Sequence, residues 1–160
     1  MKRILISLTL TFLLVALSAC NNKDSGTNYY LSLSGESDHW KLDGYEILMS
    51  PDEFKAGYGT LTMKGEDKHM ADFFSFHVYT VVDGEENSLH SGSVSGETDI
   101  AKQTTGTIKG EGGENLTKFP EVNEIYMDVR WNDNDTDGDQ EERIVLYNKD
   151  KNGKSLLDSE

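Results

Sequence analysis

Residues 72–82 (DFFSFHVYTVV) constrain the fold more than any other part of the chain. Successive side chains of a strand point to opposite sides. Phe74, Phe76, Val78, Thr80 and Val82 therefore share one face, and Phe73, Ser75, His77, Tyr79 and Val81 the other. Both faces are largely apolar, so a central strand with a neighbour on each edge is predicted here. Asp83-Gly84 then supplies a hairpin turn. Beyond residue 20 no stretch of helix length carries apolar residues at the 3.6-residue period. Shorter extended runs occur instead, at 29–33, 39–42, 45–49, 58–64, 88–94, 105–109, 124–131 and 143–147. Gly44 reads as a bulge or turn among them. Run 124–131 sends Ile125, Met127, Val129 and Trp131 inward and Glu124, Tyr126, Asp128 and Arg130 outward. Run 143–147 is its expected hairpin partner, with Ile144 and Leu146 inward. One short helical turn is expected over 51–55, because Ser50-Pro51-Asp52-Glu53 has the form of a capping box with proline at the first helical position. Seven or eight short strands at this spacing predict a single all-β domain, an antiparallel β-sandwich of immunoglobulin-like type.

Charge and cysteine usage narrow the function classes. The chain has 160 residues, with 15 basic and 29 acidic side chains and a formal net charge of -14. Nucleic-acid phosphates require clustered Lys and Arg, so nucleic acid is not an expected partner. A single cysteine leaves no disulfide framework and no cysteine-built zinc site.

That cysteine closes an export signal. Met1-Lys2-Arg3 is a positive start, and 4–17 is an apolar stretch interrupted only by Ser7, Thr9 and Thr11. It is short for a membrane span and right for a signal peptide. It ends in Leu17-Ser18-Ala19-Cys20, which resembles the lipobox of bacterial lipoproteins. The resemblance implies diacylglycerol transfer to the Cys20 sulfur and cleavage before Cys20. Two acyl chains, palmitate among them, would anchor the protein stably where one holds only marginally. Loss of Lys2 and Arg3 leaves 13 bases against 29 acids, a charge of -16. The expected organisation is a signal peptide over 1–19, the lipidated Cys20 and a polar flexible tether over 20–28, the sandwich over 29–150 and a polar C-terminal tail over 151–160. The expected place is the extracytoplasmic face of a bacterial cell membrane.

Candidate chemistry concentrates in residues 132–142 (NDNDTDGDQEE), which hold six acids and no base. Asp133, Asp135 and Asp137 at alternate positions before Gly138 copy the first half of a calcium loop. Asp139 could add its carbonyl and Glu141 could reach in directly or through water. The twelfth position from Asp133 is Ile144, where an EF-hand needs a bidentate glutamate, so any Ca2+ would sit in an isolated Asp-rich loop. The plain alternative is a solvated hairpin loop. His39, His69, His77 and His90, with Met63 and Met70 near His69, admit a copper site in ligand type only; a turn histidine at 69 and a packed strand histidine at 77 are the simpler expectation. No Gly-x-Ser-x-Gly elbow exists. Glu36 and Asp38 would share a strand face as an acid–base pair, beside His39. Trp40 and Trp131 could stack a sugar if exposed, but both lie in phase with apolar neighbours and are expected in the core.

Ser34-Gly35-Glu36-Ser37 with Trp40, Phe76-His77-Val78-Tyr79 leading into Asp83-Gly84, Gly110-Glu111-Gly112-Gly113, and Trp131-Asn132 followed by Glu142-Arg143-Ile144 together resemble a group of small lipoproteins from Firmicutes such as bacilli. The resemblance spans about 29–147 and implies a surface-anchored β domain with no established activity. That group turns tightly after Trp-Asn, where this chain inserts its acidic loop. The functional expectation is a membrane-anchored binding module, not an enzyme, needing no cofactor, whose charge favours a basic protein or peptide partner. A calcium-stabilised surface domain is the alternative, and a cell-envelope hydrolase the third.

Overall fold

A computed structural model describes residues 28–112, 121–132 and 138–149. Its strands are β1 (Tyr29–Glu36), β2 (Trp40–Met49), β3 (Phe54–Gly57), β4 (Thr60–Met63), β5 (Met70–Val82), β6 (Glu85–Asp99), β7 (Lys102–Thr104), β8 (Thr107–Gly110), β9 (Val122–Asn132) and β10 (Asp139–Asn148). They form two antiparallel sheets, so the expected all-β sandwich is what the chain builds.

In the first sheet β1 runs along one edge of β2. On the other edge, β4 pairs with the first half of β2 and β3 with the second half. β7 and β8 repeat this division further out, against β4 and β3. β3 with β4, and β7 with β8, are thus two bent strands, each broken at its middle. Counting them so reduces ten pieces to eight strands, the upper expected number. The break is a paired corner. Tyr58 N–H donates to Gly106 O at 2.8 Å and Thr105 N–H to Gly59 O at 2.9 Å. The second sheet has the order β10-β9-β5-β6, which puts β5 between two partners as its apolar faces required. In the immunoglobulin order the second strand lies between the first and the fifth; here β2 lies between β1 and the β3–β4 strand.

Gly44 is a bulge. The register passes from Leu33↔Tyr45 to Gly35↔Leu42, so Ser34 faces both Asp43 and Gly44. Gly44 takes a φ of 66°, and its N–H donates to Ser34 Oγ at 3.2 Å. Trp40, Leu42, Tyr45, Ile47 and Met49 all point into the core in consequence. Across from them lie Phe74, Phe76 and Val78 of β5, Ile125, Met127, Val129 and Trp131 of β9, and Ile144 of β10. Trp40 packs edge-on to Trp131 at 5.6 Å and against Phe74 at 5.4 Å, so both tryptophans are core residues.

Two local expectations are corrected. No helical turn forms over 51–55. Ser50 Oγ does accept from the Glu53 amide at 2.9 Å, as a cap would. Phe54 then enters β3, because pairing with β2 and β8 satisfies more backbone than one isolated turn could. Tyr126 faces outward yet is buried, since the Arg143 guanidinium lies 3.6 Å from its ring centroid and its hydroxyl donates to Glu86 Oε1 at 2.5 Å.

Candidate functional site

The sheets part at the end of the sandwich where β1 begins. Tyr29 pairs with Met49 there, the β2–β3 turn lies on one side, and the β5–β6 hairpin and the start of β9 lie on the other. Between them opens a cleft of about 690 Å³. Its apolar floor is Met49, Phe54, Val82, Leu89 and Val122. Leu89 is there because of a second bulge. The β5–β6 register moves from Val78↔His90 to Tyr79↔Ser88, which leaves Leu89 unpaired and free to turn into the gap. The hairpin tip is fixed by the Asp83 N–H, which donates to Asn123 Oδ1 at 3.1 Å.

The rim is acidic. Asp83, Glu85 and Glu121 line it, all exposed, and no lysine or arginine is among the described residues that line it. Thr80, Asn87 and Ser88 add hydroxyl and amide groups. Such a site suits a ligand that buries an apolar part and holds a cation at the mouth. Of the described lining residues, Ser88 bonds the His77 ring at 2.8 Å, and His77 itself does not line the cleft.

The described residues singled out in the sequence lie elsewhere. Cys20, Asp133, Asp135 and Asp137 fall outside the described residues. Asp139 accepts from Asn132 Nδ2 at 3.4 Å, and Glu141 pairs with Arg130 at 3.3 Å, both side chains at the mouth of the β9–β10 hairpin. Among the described residues no three His, Cys, Asp or Glu side chains gather as a metal group. Glu36 pairs with Lys64 at 3.6 Å and does not meet Asp38 across a strand face, because Asp38 lies in the β1–β2 turn. Met63 is buried in the core. His69 donates its amide to Asp99. His77 bonds Ser88 Oγ at 2.8 Å and stacks on Tyr79. His90 is buried, 3.0 Å from the Tyr45 hydroxyl across the two sheets. Burial and the neighbouring His77 hold the His90 ring below the usual histidine range, so it packs as a neutral group.

His39 does take part in a cluster, at the end opposite the cleft. Glu142 of β10 bonds the His39 ring Nδ1, and its other oxygen accepts from the Ser37 hydroxyl at 2.6 Å and the His39 amide at 3.0 Å. This latch ties the turn between β1 and β2 to the second sheet. The hydrogen bond and charge of Glu142 raise the His39 pKa. Burial pushes the Glu142 carboxyl up, but the Ser37 and His39 donors outweigh it and leave it lowered. His39 therefore contributes stability that is full below the ordinary histidine range and lost as pH rises through its raised value. Glu142 contributes stability that is full above the ordinary carboxylate range and lost as pH falls through its lowered value. Both contributions are present together between about pH 5 and 6.5. The drop in melting temperature caused by Glu142→Gln is thus expected to be largest near pH 5.5 and smaller at about pH 9, where His39 is neutral. Calorimetry of both proteins across that range checks it; a difference that grows toward alkaline pH would contradict the latch.

The cleft was not legible as a site in the sequence. Its described floor residues come from five separate segments, and the local signals were faint: a lone Leu89 within a Ser-, Asn- and Glu-rich run, and Val122 just after Pro120-Glu121. No family model, no curated protein and no solved structure matches this chain.

Proposed function

We propose that this protein is a lipid-anchored, extracytoplasmic binding module that captures a basic partner in the cleft. The observation that carries the reading is an apolar floor rimmed by Asp83, Glu85 and Glu121, with no base among the described residues that line it. The -16 charge of residues 20–160 would steer a cationic protein or peptide toward it. The anchor rests on the lipobox-like end of the apolar leader and on Cys20. The tether supports a membrane-proximal cleft. Eight residues, 21–28, separate Cys20 from β1 and reach at most about 29 Å when extended, and β1 starts at the cleft end.

The test is capture by residues 21–160 at low and high salt, with Asp83→Asn, Glu85→Gln and Glu121→Gln combined as the comparison. Salt-sensitive capture is expected, weakened about tenfold or more by the triple change, since rim charges act on association rate and salt dependence. A partner retained equally by both proteins, or at high salt, would overturn the cleft as its site.

A further inference from the structure

We propose that residues 151–157 of this same chain occupy the cleft until a partner displaces them. The inference rests on the reading of the cleft as a binding site and adds what regulates it. Three observations meet. The first is where β10 ends. Asn148, its last residue, pairs with Glu124 of β9 and donates to Glu124 Oε1 at 3.1 Å. Two residues before Glu124, Val122 forms part of the cleft floor and pairs with Val82, which pairs with Glu85 on the rim. The chain therefore leaves β10 at the cleft end, and the far wall is three strands away, about 14 Å at the usual strand spacing.

The second is length. From residue 149 to 157 the chain extends up to about 27 Å, enough to cross that width. The third is composition. Residues 149–157 read KDKNGKSLL, with Lys149, Lys151 and Lys154 against one acid, Asp150, and the apolar pair Leu156-Leu157 behind them. In a chain with almost twice as many acids as bases this is a local reversal of sign, and it joins cations to a buried-type apolar pair as the rim and floor require. A tethered segment meets its site at an effective concentration in the millimolar range, so even weak contacts keep it filled. An external ligand then binds with reduced apparent affinity, and a more strongly basic one displaces the segment.

Cross-linking tests this in the full-length chain, kept in detergent and carrying Cys20→Ser. Asn87→Cys on the cleft is combined with Ser155→Cys, and the pair is oxidised with diamide to a disulfide. The control pairs Ser155→Cys with Asp67→Cys in the turn at the opposite end. The cleft pair is expected to close at least tenfold faster than the control, and Leu156→Asp with Leu157→Asp should remove that advantage. The same double change should let a synthetic peptide KDKNGKSLLD bind at least tenfold more tightly, read by fluorescence anisotropy. Equal closure rates for the two pairs overturn the proposal. If the peptide nevertheless binds the chain with the Leu changes, the cleft stands as a binding site and only self-occupancy falls; if it does not bind there at all, both fall.

Discussion

Trp40→Ala is expected to melt about 10–20 °C below the parent, a loss of about 3–5 kcal/mol. Trp40 is fully buried and packs across the two sheets, against Trp131 and Phe74. Alanine would leave a cavity that the surrounding strands cannot close, because their spacing is fixed by backbone pairing. Its indole Nε1 is buried with no hydrogen-bond partner among the described residues. An unpaired buried donor costs about 1–3 kcal/mol. Trp40→Phe removes that donor while keeping a ring in place, so its cost is expected at about 1 kcal/mol or less. Calorimetric melting of the three proteins checks the pair of statements. If phenylalanine proves as damaging as alanine, the indole N–H is not the liability inferred here.

Gly57→Ala is expected to be comparably severe, about 3 kcal/mol or more, for a reason unrelated to the core. Gly57 has a φ of 134° at the corner where β3 passes into β4, and an added Cβ would lie 2.1 Å from Gly106 O and 2.8 Å from Thr107 Cα. Both atoms are backbone and belong to the neighbouring bent strand, so relief requires the β7–β8 corner to move as well. Gly110→Ala in β8 is the control. Its nearest neighbour to an added Cβ is a Phe54 ring carbon at 3.7 Å, an ordinary contact, and a change within about 0.5 kcal/mol is expected. Denaturant unfolding of the two variants separates strain at the corner from a general cost of removing glycine from this sheet.

What could be read from sequence was what depends on alternation alone. β5, β9 and the inner faces of β9 and β10 follow directly from Phe74 through Val82 and from Ile125 through Trp131. The Asp83-Gly84 hairpin followed from turn chemistry, and both residues take positive φ, at 52° and 83°. Ser50 to Glu53 misled because the local cap does form; the strand that follows it is decided by Ala56 and Phe54 finding partners in β2 and β8, which no local pattern contains. β6 runs for fifteen residues through Ser and Gly, a composition that hides a strand whose regularity comes from β5. Glu142, the centre of the latch, lay within the acidic run that suggested calcium. Its partners Ser37 and His39 are more than a hundred residues away, and a sequence gives charge but not which charges meet. The cleft was hidden for the same reason, since Leu89 reaches it only through a bulge whose register is set by the partner strand.

The bulge at Gly44 gives β2 an uneven tolerance to changes in length. Leu42 and Tyr45 both face the core although three positions separate them. Gly44 is therefore a spare letter in a two-letter reading frame: striking it out leaves Trp40, Leu42, Tyr45, Ile47 and Met49 in phase. Striking out Glu46 or Leu48 shifts the frame instead, turning one half of that row to solvent and Leu48 or Glu46, respectively, inward. A single deletion would be tolerated at Gly44 and damaging a few positions on.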